Sequence, residues 1–386
     1  MRNDRCPICG SESPSILLLH FSRKMNLPTE VMIRHCASDN FLFVASGASH
    51  NHYDEYYKSL ANDSYHAEVG GGAIRSPIAK LQQKRLLDLL GTFFTHPRDV
   101  LDFGCGEASL LVELASEFPT SRFQGFDPSP ASQIGCQKTK TLGLNNLLVS
   151  DFKPREGKYD LIISSHVLEH LLDFDLLRYW NSLLAENGLF YVEVPNSLQY
   201  ATYERLEFLY YFDRLHVNHF TPQSLRRLVT AHGFGYVGHF EYQFPYRDER
   251  EYPALGMLFR KGGELVDITS LSILQAAKIY IAQEQKRARA LNDQLRRFEG
   301  VLVWGGGDNF HRSIENGGPL SNLPDVIVLD QRQQIIVIGD REWTTQIPGE
   351  GIRRCPWPVV ITVSQGRKDI SQQVKEIDPS RQVFLL

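Results

Sequence analysis

No stretch of this 386-residue chain approaches the roughly 20 consecutive apolar residues that a membrane-spanning helix needs, so no span is expected. Long runs of one charge are missing too. The 41 Lys and Arg residues are scattered among 45 Asp and Glu, leaving a formal net charge of −4 and no basic stripe of the kind duplex nucleic acid demands. A nucleic-acid substrate is therefore disfavoured. Cysteine is scarce, six in all, yet Cys6, Cys9 and Cys36 lie close together near the start, which in a reducing compartment predicts a metal site rather than disulfides. The opening MRNDRCPICG lacks the apolar core and the small-residue cleavage site of a signal peptide, so cytoplasmic residence is expected. There is no repeat of fixed period and no low-complexity tract.

What is present is a chain of ordinary globular composition, 42% hydrophobic and 22% charged, long enough for two cores and an appendage. Residues 1–50 hold the cysteines and short apolar runs, Ile16 to Leu19 and Phe41 to Val44, and read as a small zinc-ribbon-like module. The stretch from His50 to Ser76 is rich in Tyr, His, Asn and Gly without sustained periodicity, and reads as an arching loop whose Tyr56, Tyr57 and Tyr65 reach toward a substrate. Ser76-Pro77 then opens a helix, and strands alternate with helices: Asp99 to Phe103, Phe123 to Phe126, Leu147 to Val149, Leu161 to Ser164 and Leu189 to Val194. Such alternation predicts an α/β fold with a mostly parallel sheet. Thr221-Pro222 opens a further helix stopped by Gly233, and short aromatic-rich strands close the domain, whose expected span is 51–262. Apolar residues recurring from Ile268 to Phe298 predict a connecting helix within 263–299, and VLVWGGGDNF followed by VIVLD predicts a second Rossmann-like unit over 300–386.

The segment from Val100 to Ala108, VLDFGCGEA, is a strand running into a glycine turn and then a helix. Glycine is needed where backbone approaches a ligand lying across the carboxyl end of a sheet. Twenty-one residues after Gly106, Asp127 ends the strand FQGFD, where a carboxylate accepts both ribose hydroxyls of an adenosine. The third glycine of a dinucleotide fingerprint is replaced by Ser109. Asp102, two residues before the turn, would repel a pyrophosphate but can hold the amino group of a methionine moiety. S-adenosylmethionine fits better than a dinucleotide.

Over residues 78–240 the chain resembles class I S-adenosylmethionine-dependent methyltransferases, through DFGCGEA, Asp127, the segment Val149 to Phe152, YDLIISSHVLEHLLD and LLAENGLFYVEVPN. The resemblance implies a Rossmann-like core and assigns Asp102, Gly104, Cys105 and Gly106 to the methionine end of the cofactor. It assigns Asp127 to the ribose, Asp151 and Phe152 to the adenine, and Ser165 and His166 to the pocket wall, with His170 as a packing residue. Ala108 stands where a glycine is common.

Cys6-Pro7-Ile8-Cys9-Gly10 is a zinc-knuckle sequence that needs a second ligand pair. Cys36 supplies one partner, and Asp39 stands where another cysteine is usual, with His35 as the other candidate. Such a zinc ion would be structural. Knuckle, core, long helix and C-terminal α/β unit together resemble the sugar C-methyltransferases that act on nucleotide-linked 4-keto-deoxysugars. That family carries Tyr-x-Glu-His after the fifth strand, where this chain has Asp213-Arg214-Leu215-His216, and the loss of the tyrosine and glutamate weighs against enolate-forming chemistry.

Methyl transfer needs a positioned nucleophile, exclusion of water and one base. His216, in the aromatic stretch EFLYYFDRLHVNHF, is the first candidate, and His219 the second. The expected function is methyl transfer to carbon or oxygen of a small molecule, a sugar or nucleotide-linked sugar, or a natural-product intermediate. The rivals are an NAD-linked sugar-modifying enzyme working through the C-terminal unit and a non-catalytic cofactor-binding scaffold. Phe310, in the third-glycine position of GGGDNF, argues against the former, although Asp330 ends the next strand suitably.

Overall fold

The computed structural model describes residues 4–22, 27–45, 48–59, 76–91, 97–151, 159–203, 205–246, 250–263, 269–315, 317–363 and 366–386. The chain forms two compact units, one of Met1–Ser15, Arg34–Tyr203 and Leu215–Ala276, the other of Ile16–Ile33, Glu204–Arg214 and Ala277–Leu386. No helix among the described residues is long and apolar enough to cross a membrane.

Before the main sheet come β1 (Ser15–His20), β2 (Glu30–Cys36) and β3 (Phe41–Ala45). The sheet itself is entered through the helix Pro77–Leu90. Ser76 caps it by accepting from the Ala79 amide at 3.3 Å, and Pro77 sits where its missing N–H costs nothing. Then follow β4 (Asp99–Phe103), β5 (Arg122–Phe126), β6 (Leu147–Ser150), β7 (Tyr159–Ser165) and β8 (Leu184–Pro195). The short β9 (Asn218–His219), β10 (Phe234–Tyr246) and β11 (Arg250–Lys261) complete the unit. The order is β10-β11-β8-β7-β4-β5-β6, with β11 alone running against its neighbours. The order reverses between β4 and β7, the point at which open α/β sheets bind ligands beyond the strands' carboxyl ends.

Both faces of this sheet are covered, which is why its central strands are apolar almost throughout. On β7, Ile162 packs with Phe103, Trp180 and Phe190 on one face. Leu161 and Ile163 pack with Leu111, Val112 and Tyr191 on the other, as the two-residue period of a strand requires. The closing strands are not short: β10 and β11 run 13 and 12 residues, because each continues past the sheet edge as an aromatic hairpin. The segment after His50 is likewise not wholly irregular. His50–Ser59 is a helix that buries Tyr53 and Tyr56 three residues apart on one face, so Tyr56 is a packing residue there rather than a loop residue. Tyr65 lies outside the described residues.

In the second unit the helix Ile273–Leu295 leads to β12 (Val301–Trp304), β13 (Val326–Leu329), the hairpin β14 (Ile335–Ile338) and β15 (Arg341–Thr344), β16 (Val359–Ile361) and β17 (Val383–Leu385). Four of these form a parallel sheet in the order β13-β12-β16-β17. Its glycine turn is occupied by its own chain. A side chain at Gly306 would come 2.1 Å from Ile336, Phe310 is buried against Trp343, and Asp308 is held by both Arg214 Nη2 contacts at 2.9 and 3.0 Å. Asp330 accepts the Arg332 amide at 3.0 Å.

Candidate functional site

The turn after β4 is built on left-handed backbone. Gly104 has φ +85° and Gly106 φ +52°, and a Cβ on Gly104 would lie 2.3 Å from Val167 Cγ2. The Gly104 and Cys105 amides donate to the Phe126 carbonyl at 2.7 and 3.1 Å, binding the turn to the end of β5. Ala108 takes φ +56° just before the helix Ser109–Glu117, doing what a glycine would do there. The Cys105 side chain turns away from the loop: a Cβ on Gly125 would lie 2.7 Å from its Sγ. Burial and the charges of Asp102 and Asp127 push that thiol well above its usual range.

Asp127 is buried and ties the turn together, accepting the Gly106 amide on Oδ2 and the Ser129 amide on Oδ1, each at 2.8 Å. Asp102 is different. It is 3% exposed, and among the described residues its Oδ1 meets no hydrogen-bond donor. Burial, reinforced by the charges of Asp127 and Glu193, raises its pKa to about 8. A buried carboxylate oxygen left without a partner beside a glycine cradle is the feature an incoming ammonium would satisfy. Asp151 is exposed one residue beyond β6, and Phe152 lies outside the described residues.

The centre of the site was missed by sequence reasoning: it is Glu193, on β8. Its carboxylate is 0% exposed and accepts Gln82 Nε2 at 2.8 Å and Ser165 Oγ at 2.9 Å on one oxygen. The other oxygen accepts the Tyr191 and Tyr242 hydroxyls at 2.6 and 2.5 Å. His166, at the left-handed φ of +55°, places Nε2 3.3 Å from Glu193 and Nδ1 3.0 Å from Glu169. Burial alone would pull the His166 pKa down, but the hydrogen bonds and charges of Glu169 and Glu193 carry it to about 10. Burial opposes ionisation of Glu193 also, yet His166 and the two tyrosines bring it to about 2. The result is an imidazolium held between two carboxylates, edged by Phe244 and Tyr252 at 5.9 and 6.0 Å between ring centres. The signal for Glu193 was in the sequence, as one charged residue inside the apolar strand LFYVEVP.

Beyond Glu169 the chain of groups continues to His170 and His216, whose rings lie 4.9 Å apart. Ligand-capable atoms of Glu169, His170 and His216 all fall within 4.8 Å of one another. His219 is elsewhere. It pairs with Leu42 across β9 and β3, is 0% exposed, and its Nδ1 contacts the Tyr200 hydroxyl at 3.1 Å. Tyr57 reaches the His170 ring at 6.0 Å.

The four residues expected to hold a metal do converge: Cys6, Cys9, Cys36 and Asp39 bring one atom each within 4.8 Å of one another. Cys9 and Cys36 sulfurs are 3.6 Å apart, and Asp39 Oδ2 lies 3.2 Å from Cys6 and 3.3 Å from Cys36. Tetrahedral zinc with Zn–S bonds of about 2.3 Å separates its sulfurs by roughly 3.8 Å, so the group needs only a slight expansion. The Gly10 amide donates to the Cys6 carbonyl at 2.8 Å, closing the knuckle at a residue with φ +75°. The other Asp39 oxygen faces Arg227 Nη1 at 3.4 Å, leaving one oxygen for the thiolate side. His35 is buried and is not part of the group of four.

A family model described as a methyltransferase domain matches residues 78–239. Trans-aconitate 2-methyltransferase from Deinococcus radiodurans is 30% identical over 140 residues, covering 35% of this chain and 50% of the relative. The protein of the same name from Enterobacter sp. is 30% identical over 142 residues, covering 36% and 52%. The chain thus spans about half the length of these curated relatives. Among solved structures, a Burkholderia thailandensis 1,6-didemethyltoxoflavin-N1-methyltransferase with bound 1,6-didemethyltoxoflavin and S-adenosylhomocysteine overlaps 60% of this chain and 96% of its own. The identity is 18% and the TM-score 0.41. With the sheet order, the glycine turn and the strand-end acid already in place, residues 78–239 are a class I S-adenosylmethionine-dependent methyltransferase domain.

Proposed function

We propose that this chain methylates a small molecule carrying hydroxyl groups, a sugar or nucleotide-linked sugar, using S-adenosylmethionine. The observation that carries the cofactor half is Asp102 Oδ1, buried without a donor beside the Gly104–Gly106 cradle. In this reading Asp102 holds the amino group of the methionine end, Asp127 the ribose, and Asp151 with Phe152 the adenine. The bound cofactor supplies a methyl group on a positively charged sulfur, open to in-line displacement. The protein's part is to hold the acceptor, exclude water and take up a proton. His216 is the first candidate for that uptake because Glu169 and His170 lie beside it, whereas the burial of His219 between strands suits a packing role.

The acceptor half rests on charge and shape. His166 lies between Glu169 and Glu193, and Tyr242, Phe244 and Tyr252 line the edge, with Arg85 over the Tyr242 ring. A sugar ring offers an apolar face to the aromatics and hydroxyl groups to the polar side chains around them. The test is titration with S-adenosylhomocysteine and, separately, NAD. Asp127→Ala is expected to weaken S-adenosylhomocysteine by roughly 100-fold, about 3 kcal/mol, since it also frees the Gly106 and Ser129 amides. Nucleotide sugars and trans-aconitate are then offered with S-adenosylmethionine, and an added methyl group is sought by mass spectrometry. Binding of NAD alone would sink the methyltransferase reading, and methylation of aconitate alone would sink the sugar.

We further propose that Cys6, Cys9, Cys36 and Asp39 hold a structural zinc ion. Metal analysis of the purified chain is expected to find zinc at this knuckle. Cys36→Ser is expected to lose it and to melt about 10 °C lower, because metal binding is coupled to folding. An unchanged melting temperature with zinc absent from both proteins would refute the site.

A further inference from the structure

We propose that Glu169, His170 and His216 form a second metal site, one that takes a divalent cation beside the His166–Glu193 centre. The proposal rests on reading that face as the acceptor side, and for His216 it is the alternative to the role of base: with the cation bound, that imidazole is a ligand. Two imidazoles and one carboxylate, with ligand atoms within 4.8 Å of one another, are the donor set that binds first-row divalent cations and leaves coordination positions open.

Three details of geometry point the same way. Glu169 is 1% exposed, its Oε1 is committed to His166 at 3.0 Å, and its Oε2 accepts no hydrogen bond. Leaving a buried carboxylate oxygen bare is costly unless a cation meets it. His170 Nδ1 lies 3.0 Å from the Leu215 carbonyl, which sets that nitrogen as the N–H donor and leaves Nε2 with its lone pair, 3.9 Å from Glu169 Oε1. Anchoring one imidazole nitrogen on a backbone carbonyl so that the other presents a lone pair is the usual preparation of a metal-binding histidine. His216 completes the set, its ring 4.9 Å from that of His170. The His166 ring is bonded to Oε1, so it steadies Glu169 while Oε2 stays without a hydrogen bond among the described residues. The open positions would accept oxygen donors of a polyhydroxylated acceptor. The thiolates of the knuckle belong to a different set of residues and a softer class of ligand.

The test uses Mn2+ with the full chain carrying one equivalent of zinc for the knuckle, and reads bound manganese by electron paramagnetic resonance, with no acceptor and no turnover. One Mn2+ per chain is expected, and Glu169→Gln and His216→Ala are each expected to weaken it by at least about tenfold. S-adenosylhomocysteine affinity is measured on the same samples, and in His216→Ala it is expected within roughly threefold of the wild type, showing an intact fold. Absence of Mn2+ binding up to millimolar concentration, or equal binding in both variants, would overturn the cation site. Absence of S-adenosylhomocysteine binding in the wild type, with Mn2+ bound, would instead overturn the cofactor reading and leave the cation site standing.

Discussion

Replacing Glu193 by alanine is expected to cost the fold about 3–5 kcal/mol, because it strips the counter-charge from a buried imidazolium and leaves four further donors unmatched. The donors come from Gln82, Ser165, Tyr191 and Tyr242, and all are within 2.9 Å of the carboxylate. Cavity formation adds to the loss. The carboxylate's own contribution is pH-dependent in a definite sense. Its pKa falls from 4.5 to about 2 on folding, so the stability it brings is complete above 4.5 and is lost as pH drops through 2. His166 rises from 6.5 to about 10, so its share is complete below 6.5 and is lost as pH climbs through 10. The pair therefore stabilises most between pH 4.5 and 6.5. Urea denaturation of wild type and Glu193→Ala across pH measures both effects. A loss under about 1 kcal/mol with an unchanged pH profile would mean that the carboxylate is dispensable. Glu193→Gln, which keeps an acceptor but not the charge, is expected to fall between the two.

Asp102→Asn is expected to weaken S-adenosylhomocysteine by roughly 100-fold while raising the melting temperature of the unliganded protein above neutral pH. The sign follows from a folded pKa of about 8 against 3.8. Between those values the folded chain keeps a proton that the unfolded chain has released, so stability declines as pH rises toward 8, and asparagine removes that decline. An ammonium bound at Asp102 requires the ionised carboxylate, so ligand binding at pH 7 must expel the proton. From pH 7 to 9 the wild-type affinity is expected to rise about tenfold from this group, and the Asp102→Asn profile to be flat over the same range. Calorimetry in buffers of different ionisation enthalpy counts the released proton directly. Equal affinity in the two proteins would remove Asp102 from the cofactor's contacts.

Much of the core was legible because its signals are local. Gly104, Gly106 and Asp127 stand at spacings that a single strand–turn–helix–strand unit dictates, and the amides of the turn meet Asp127 as that geometry requires. The cysteine knuckle was legible for the same reason, with Asp39 only three residues from Cys36. Glu193 was not. Its partners Gln82, Ser165 and Tyr242 lie 111, 28 and 49 residues away, on a helix and two other strands, and no periodicity along the chain announces such a meeting. The tyrosines of β10 and β11 were legible only as part of short aromatic-rich strands, because a hairpin that extends beyond its sheet has no sequence mark distinguishing its two ends. His216 and His219 show the limit of proximity: three residues apart, they serve different surroundings because β9 turns His219 against β3. The helix His50–Ser59 was hidden by its polar and aromatic composition, which blurs the contrast between its faces.

The way Glu193 is satisfied also orders events during synthesis. A nascent chain that has emerged only as far as Pro195 already contains Glu193, Gln82, Ser165 and His166, but not Tyr242, which is 49 residues further on than Glu193. Until the β10–β11 hairpin leaves the ribosome and adds to the free edge of β8, that edge is an open row of backbone groups with a half-solvated carboxylate behind it. The polar centre is therefore among the last parts of its unit to be completed, and the folding intermediate that precedes it is the form most exposed to chaperones and proteases.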